Sequence, residues 1–187
     1  SHNKSWPAIN FELNKNEENR GYTCDRLLPA APFLGIPAED LSTRWPLPLD
    51  QLRHMAQQVH FHKPNPDQML IGMDPGISKA GIALTQDNLL YLARQMTGQF
   101  MAKVVALGLP EDSERRQEFE VRLSEVPTGL PRDTLLDMLL LLSQCDLFVG
   151  GNTDFFHFAV ANGVPAVGLF PEGEDECWIP ENRKKVH

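Results

Sequence analysis

The chain has 187 residues, 42% hydrophobic and 22% charged, the balance of an ordinary globular domain with room for one full core and an appendage. Its formal net charge of -8 and the lack of any dense Lys/Arg run argue against nucleic acid as a partner, because neutralising phosphates requires clustered cations. No stretch approaches the roughly 20 apolar residues that span a bilayer, and no charged-then-apolar leader opens the chain, so a cytoplasmic protein is expected.

Three cysteines, Cys24, Cys145 and Cys177, stand far apart without CxxC spacing, and Cys145 lies in an apolar stretch where a free thiol packs as a small hydrophobe. A reducing compartment fits that usage. The chain opens on Ser1-His2-Asn3-Lys4 and stops at Val186-His187 without a terminating element, so a fragment of a longer protein is expected.

Residues 1 to about 67 carry eight prolines between Pro7 and Pro66 and read as a connecting region, the remnant of a preceding domain. Within it Leu49, Leu52, Met55, Ala56 and Val59 recur at helical spacing behind Asp50, which predicts one short amphipathic helix. From residue 68 to 187 the pattern becomes that of a single α/β domain. Met69 to Met73 predicts a strand ended by Asp74-Pro75-Gly76. Thr85 can cap a helix whose Leu89, Leu92, Ala93 and Met96 share a face.

Lys103 to Leu107 predicts a second strand, closed by Gly108-Leu109-Pro110, and Asp112 to Ser124 a charged, exposed helix. Thr134 and Asp137 form a capping-box pattern before an apolar helix through Leu142. Asp146 to Val149 predicts a third strand, Thr153 to Asn162 a helix ended by Gly163, and Pro165 to Phe170 a fourth strand. Strand and helix alternating at this spacing predict parallel βαβ units, because parallel neighbours need a crossover. The expected fold is therefore α/β with a Rossmann-like open parallel sheet.

Ligands of such a sheet bind outside the carboxyl ends of the strands, where helix N-termini offer unpaired N–H groups to anions. Two loops meet that rule. Asp74 to Gly81 offers Gly76 for close backbone approach, the Ser78 hydroxyl and the Lys79 cation, although a Pro-Gly turn beside a serine is commonly only a turn. Gly150-Gly151-Asn152-Thr153-Asp154 precedes the helix that carries His157. It offers paired glycines and a hydroxyl, with the alternative that Thr153 or Asp154 merely caps the helix and His157 is a core histidine. Neither a Walker A sequence nor GxGxxG is present.

The run CDLFVGGNTDFFHFAVANGVPAVGLF, from Cys145 to Phe170, resembles the hallmark of glycosyltransferase family 9, the ADP-heptose:lipopolysaccharide heptosyltransferase family. LIGMDPGISKAGIALTQDNLLYLARQM resembles that family's strand, phosphate loop and helix, and VVALGLPEDSE its Gly-Gly-Pro-Glu-Glu strand and turn. The resemblance spans about residues 69 to 180 in the family's order.

It implies the C-terminal, nucleotide-sugar-binding half of a GT-B fold, with residues 22 to 50 as the linker and the catalytic base in the other, acceptor-binding half. It implies inverting transfer of a heptose-like sugar from a nucleotide diphosphate to a glycan or lipid-linked acceptor, without metal or other cofactor, and peripheral association with the inner membrane through the acceptor. By resemblance Gly76, Ser78 and Lys79 belong to the phosphate loop, Glu111 to the ribose-contacting position, and Leu130 to Thr134, with Asp133 among them, to the stretch lining the base. Asn152, Thr153 and Asp154 fall on the family's Asp-Thr-Gly and His157 on its histidine.

Two departures fall on one phosphate site. Asp154 stands where the family has a glycine, and Ile82 to Thr85 replace its Lys-Arg-Trp-Pro, leaving Lys79 as the nearby cation. Three readings stay open: a transferase with another donor, a catalytically silent GT-B-like binding or assembly module, and a Rossmann-like domain for an unrelated nucleotide.

Overall fold

The computed structural model describes residues 45–63, 65, 67–76, 85–124 and 129–170. All of them fall in one compact unit, Thr43–Glu172. The elements are α1 (Leu49–His62), β1 (Leu70–Met73), α2 (Gln86–Phe100), β2 (Lys103–Ala106), a 3-10 turn (Pro110–Asp112), α3 (Ser113–Leu123), α4 (Leu135–Leu142), β3 (Leu147–Gly150), α5 (Asp154–Asn162) and β4 (Ala166–Gly168).

The four strands form one all-parallel sheet in the order β2-β1-β3-β4, as the βαβ spacing predicts. β1 is buried at all four positions and pairs on both edges, with Met73 opposite Ala106 on β2 and Val149 on β3. Continuous burial explains why these strands read as uninterrupted apolar runs. β4 is shorter than the sequence suggests. Pro165 has no N–H to give the ladder, though its carbonyl accepts the Phe148 N–H at 2.8 Å.

Alternation along the strands divides the core between two faces. Ile71, Met73, Val104, Ala106 and Val149 pack with Leu89, Leu90 and Ala93 of α2 and with Phe119 and Leu123 of α3. On the other face a Cβ at Gly72 would lie 2.7 Å from Leu107 Cδ1 and 3.1 Å from Cys145 Sγ, so the position accepts nothing larger than glycine without rearrangement. Cys145 Sγ also reaches the Leu141 carbonyl at 3.4 Å, which brings the end of α4 to this second face. α1 buries Met55 and Val59 and packs against α4, while Leu49 at its start stays exposed.

The helix ends follow local chemistry. Thr85 caps α2 by accepting the Asn88 N–H at 3.2 Å, and Thr134 and Asp137 complete a reciprocal capping box on α4. Gly163 closes α5 at φ 77°, a conformation glycine adopts without a Cβ clash.

α3 departs from the expected exposed helix. Its Glu and Arg side chains hide a buried stripe of Arg116, Phe119 and Leu123, with Phe119 0% exposed. Phe119→Ala is therefore expected to destabilise the protein by about 3–5 kcal/mol in urea denaturation. A loss under about 1 kcal/mol would return α3 to the role of a solvated helix.

Candidate functional site

The strand order places a topological switch point between β1 and β3, because the connection leaving β1 runs to β2 on one side while β3 and β4 lie on the other. The residues that follow these two strands, Asp74 to Gly76 and Gly151 to Asp154, therefore open at the same carboxyl edge of the sheet. The expectation that the two candidate loops share an edge holds for their described parts. Ser78 and Lys79 lie outside the described residues.

Asp74 is the first residue beyond β1 and is only 5% exposed. Its backbone N–H still reaches the Val149 carbonyl at 3.4 Å, and its Oδ1 accepts the Gly76 N–H at 2.8 Å. A Cβ at Gly108, beyond β2, would lie 3.7 Å from Oδ1, and one at Gly150 would lie 3.6 Å from Asp74 Cβ. These are ordinary contact distances, whereas a Cβ at Gly76 would lie 2.8 Å from Oδ1, so of the three glycines only Gly76 is required by this carboxyl. Burial raises it to about 6; the Thr153 hydroxyl and the Gly76 N–H oppose the shift, and the negative charges of Asp112 and Asp154 add to it.

Thr153 occupies the N-cap position of α5 with extended backbone, but its side chain makes no capping bond. The reading of Thr153 as an ordinary cap is thereby set aside, and the Thr153 carbonyl instead accepts the Phe156 and His157 N–H groups at 3.1 and 3.4 Å. Its Oγ1 is buried with no hydrogen-bond partner among the described residues. The hydroxyl lies near enough to favour the ionised Asp74 carboxyl, yet outside hydrogen-bond alignment with it. A buried, unaligned hydroxyl at a helix start is a donor left for something else.

Asn152 and His157 form the other half of the site. His157 Nε2 and Asn152 Oδ1 are 2.9 Å apart. In the tautomer with its proton on Nε2, the ring donates to Oδ1 and leaves the Asn152 amide N–H groups as donors. Burial pushes the His157 imidazolium below its ordinary value, with Asp154 opposing, so the ring is neutral at neutral pH. Asp154 itself is exposed, at the first position of α5.

Glu111 is exposed on the turn after β2, and Asp133 is exposed just before α4. Among the described residues no hydrogen bond joins either to Asp74, Thr153 or His157. Arg116, which the sequence reading left on a charged helix, is 9% exposed and ties these loops together. Its Nη1 donates to the Gly108 carbonyl at 3.3 Å and its Nη2 to the Arg132 carbonyl at 3.4 Å, while Arg132 pairs with Glu120. Burial and neighbouring Arg132 lower its affinity for a proton, opposed by Glu120, Asp133 and Asp112. Asp74 and Arg116 are the functional-site neighbours that sequence patterns missed; an Asp-Pro-Gly turn and a run of Glu and Arg carry no sign of burial.

Among the described residues no group of three or more His, Cys, Asp or Glu is arranged to hold a metal ion, and no helix is long and apolar enough to cross a membrane. Residues 26–187 match the family described as glycosyltransferase family 9 (heptosyltransferase). A solved structure of a family 9 glycosyl transferase from Veillonella parvula DSM 2008 is similar in fold, with a TM-score of 0.71 at 17% identity. The match covers 91% of this chain and 49% of that one, so the chain spans about half the length of that protein. No curated protein matches.

The raised carboxyl of Asp74 has a consequence for stability. Below about pH 4 it is protonated in both folded and unfolded chains and contributes nothing. As pH rises from 3.8 to about 6 only the unfolded chain ionises, so folding is progressively penalised, and above that the penalty is constant. Asp74→Asn, which keeps an acceptor for Gly76, is expected to raise stability at pH 8 by up to about 3 kcal/mol and to lose that advantage by pH 4. Denaturant titrations at the two pH values check this; an advantage independent of pH would mean the carboxyl is not held out of its ordinary range.

Proposed function

The chain belongs to glycosyltransferase family 9, and we propose that it is the donor-binding half of a GT-B transferase that moves a heptose-like sugar from a nucleotide diphosphate to a lipopolysaccharide or related cell-envelope glycan. Residues 1 to about 67 lead from the acceptor-binding half, which supplies the catalytic base. The enzyme works in the cytoplasm and meets the inner membrane through its acceptor.

The observation that carries this reading is the meeting, at one switch point, of the two loops that hold the family's motifs. There the start of α5, the Thr153 hydroxyl and the Asn152 amide present donors where a diphosphate accumulates charge as the glycosidic bond breaks. His157 orients Asn152 through the contact between its Nε2 and Asn152 Oδ1. Gly76, Ser78 and Lys79 complete the phosphate cradle in this reading. Glu111 takes the ribose and Asp133, with its neighbours, borders the base.

A second reading is a silent nucleotide-binding or assembly module. It is favoured by the three carboxylates, Asp74, Asp112 and Asp154, that gather where the diphosphate would lie. Asp154 replaces the family's glycine but is exposed at the rim, where solvent screens its charge, and this weakens that alternative.

Calorimetric titration of the full-length protein with ADP- and UDP-sugars tests the assignment. Thr153→Ala is expected to weaken binding by roughly 1 to 2 kcal/mol, the scale of a hydrogen bond to a charged acceptor, with an unchanged melting temperature because no cap bond is lost. Asp154→Gly is expected to strengthen binding by up to about tenfold. Absence of binding in the wild type and in Asp154→Gly alike would favour a silent assembly module.

A further inference from the structure

Asp74 has no role in the transferase reading above, yet it lies at the switch point. Its carboxyl joins both loops that flank it, accepting the Gly76 N–H at 2.8 Å and interacting with the Thr153 hydroxyl. Gly108 and Gly150 border it, and it is only 5% exposed. The Thr153 oxygen is buried and receives no hydrogen bond among the described residues; with Asp74 ionised the pair holds one proton, which can serve the carboxylate or an outside acceptor but not both.

We propose that Asp74 is a positioning and specificity-determining residue that takes up a proton when the diphosphate binds: its acid form donates to Thr153 Oγ1, and the Thr153 O–H then turns outward to a phosphate oxygen. The inference rests on the reading of this crevice as the diphosphate site. In the ionised form both interactions oppose the ligand. The carboxylate attracts the Thr153 proton inward, and an unpaired negative charge sits behind the donors in a poorly solvated place.

Among the described residues, the groups that act on Asp74 add no compensating cation. Asp112 comes from the turn after β2 and Asp154 from the start of α5, both carboxylates. Arg116 on α3 is committed to the Gly108 and Arg132 carbonyls, and His157 on α5 is paired with Asn152. Protonation of Asp74 is thus the cheapest local way to remove a charge from behind the bound anion, and a carboxyl already raised to about 6 needs little help to accept it.

The test is calorimetry of the full-length protein with a nucleotide sugar at pH 6, 7 and 8. A nucleotide sugar is chosen over a free nucleoside diphosphate because a terminal phosphate titrates near pH 6 and would confuse the profile. Wild-type affinity is expected to fall about tenfold or more from pH 6 to pH 8, with uptake of up to about one proton at pH 7 read from buffers of different ionisation enthalpy. Asp74→Asn, whose amide donates to Thr153 at every pH, is expected to bind with a flat profile, no proton uptake and about tenfold tighter than wild type at pH 8.

A pH dependence that survives in Asp74→Asn overturns the proposal and leaves the donor-site reading standing; its loss in His157→Gln would assign it to the imidazole. If Asp74→Asn fails to fold, the wild-type proton uptake decides alone, and a value near zero at pH 7 overturns the proposal. Absence of binding by the wild type at all three pH values overturns both the proposal and the reading beneath it.

Discussion

β1 is hydrogen-bonded along both edges and buried on both faces, and most of what is distinctive in this domain follows from that confinement. The chain leaving β1 has only one direction open to it, out through the carboxyl edge between the ends of β2 and β3. Parallel pairing puts those ends level, so the loops after β1 and β3 must diverge around a gap. Close packing then sets which residues border it. A Cβ at Gly150 would come within 2.9 Å of the Phe148 ring, which fills the core two residues earlier. The same glycine that spares Phe148 stays buried at the end of β3, where its carbonyl accepts the Leu169 N–H at 2.9 Å.

The edge of this gap carries opposed electrostatic contributions. The start of α5 and its uncommitted donors favour an anion, while carboxylates behind and beside them disfavour it. Arg116 fixes the loops through hydrogen bonds to two backbone carbonyls and is not among the charges that act on Asp74. In the donor-site reading proposed above, the geometry suits a phosphate group more plainly than the charge does. Small changes in protonation can decide such a contest, whereas a site built on several exposed cations would be indifferent to them.

The sheet was legible in the sequence because parallel strands need apolar residues on both faces, and VVA and LFV have no other use. Helix ends were legible where a side chain meets its own backbone: Thr85, the Thr134–Asp137 pair and Gly163 all act within four residues of themselves. Thr153 has the same local signature and behaves differently, since what fixes its side chain is the neighbouring strand end. Asp74 and Arg116 were missed for a related reason. Charge predicts exposure in the absence of other information, and only the convergence of three strand ends and two loops buries them.

Cys145 lies at the seam between α4 and β3, sealed by Gly72 on one side and bonded to the Leu141 carbonyl on the other. Burial, reinforced by the negative charge of Asp146, pushes its thiol far above the range in which a thiolate forms. An alkylating reagent therefore has no nucleophile to find while β1 and α4 remain docked. Cys145 becomes reactive only when that seam parts, which makes it a built-in reporter: the rate at which it is trapped, followed separately from Cys24 and Cys177, counts the opening events of the second core face.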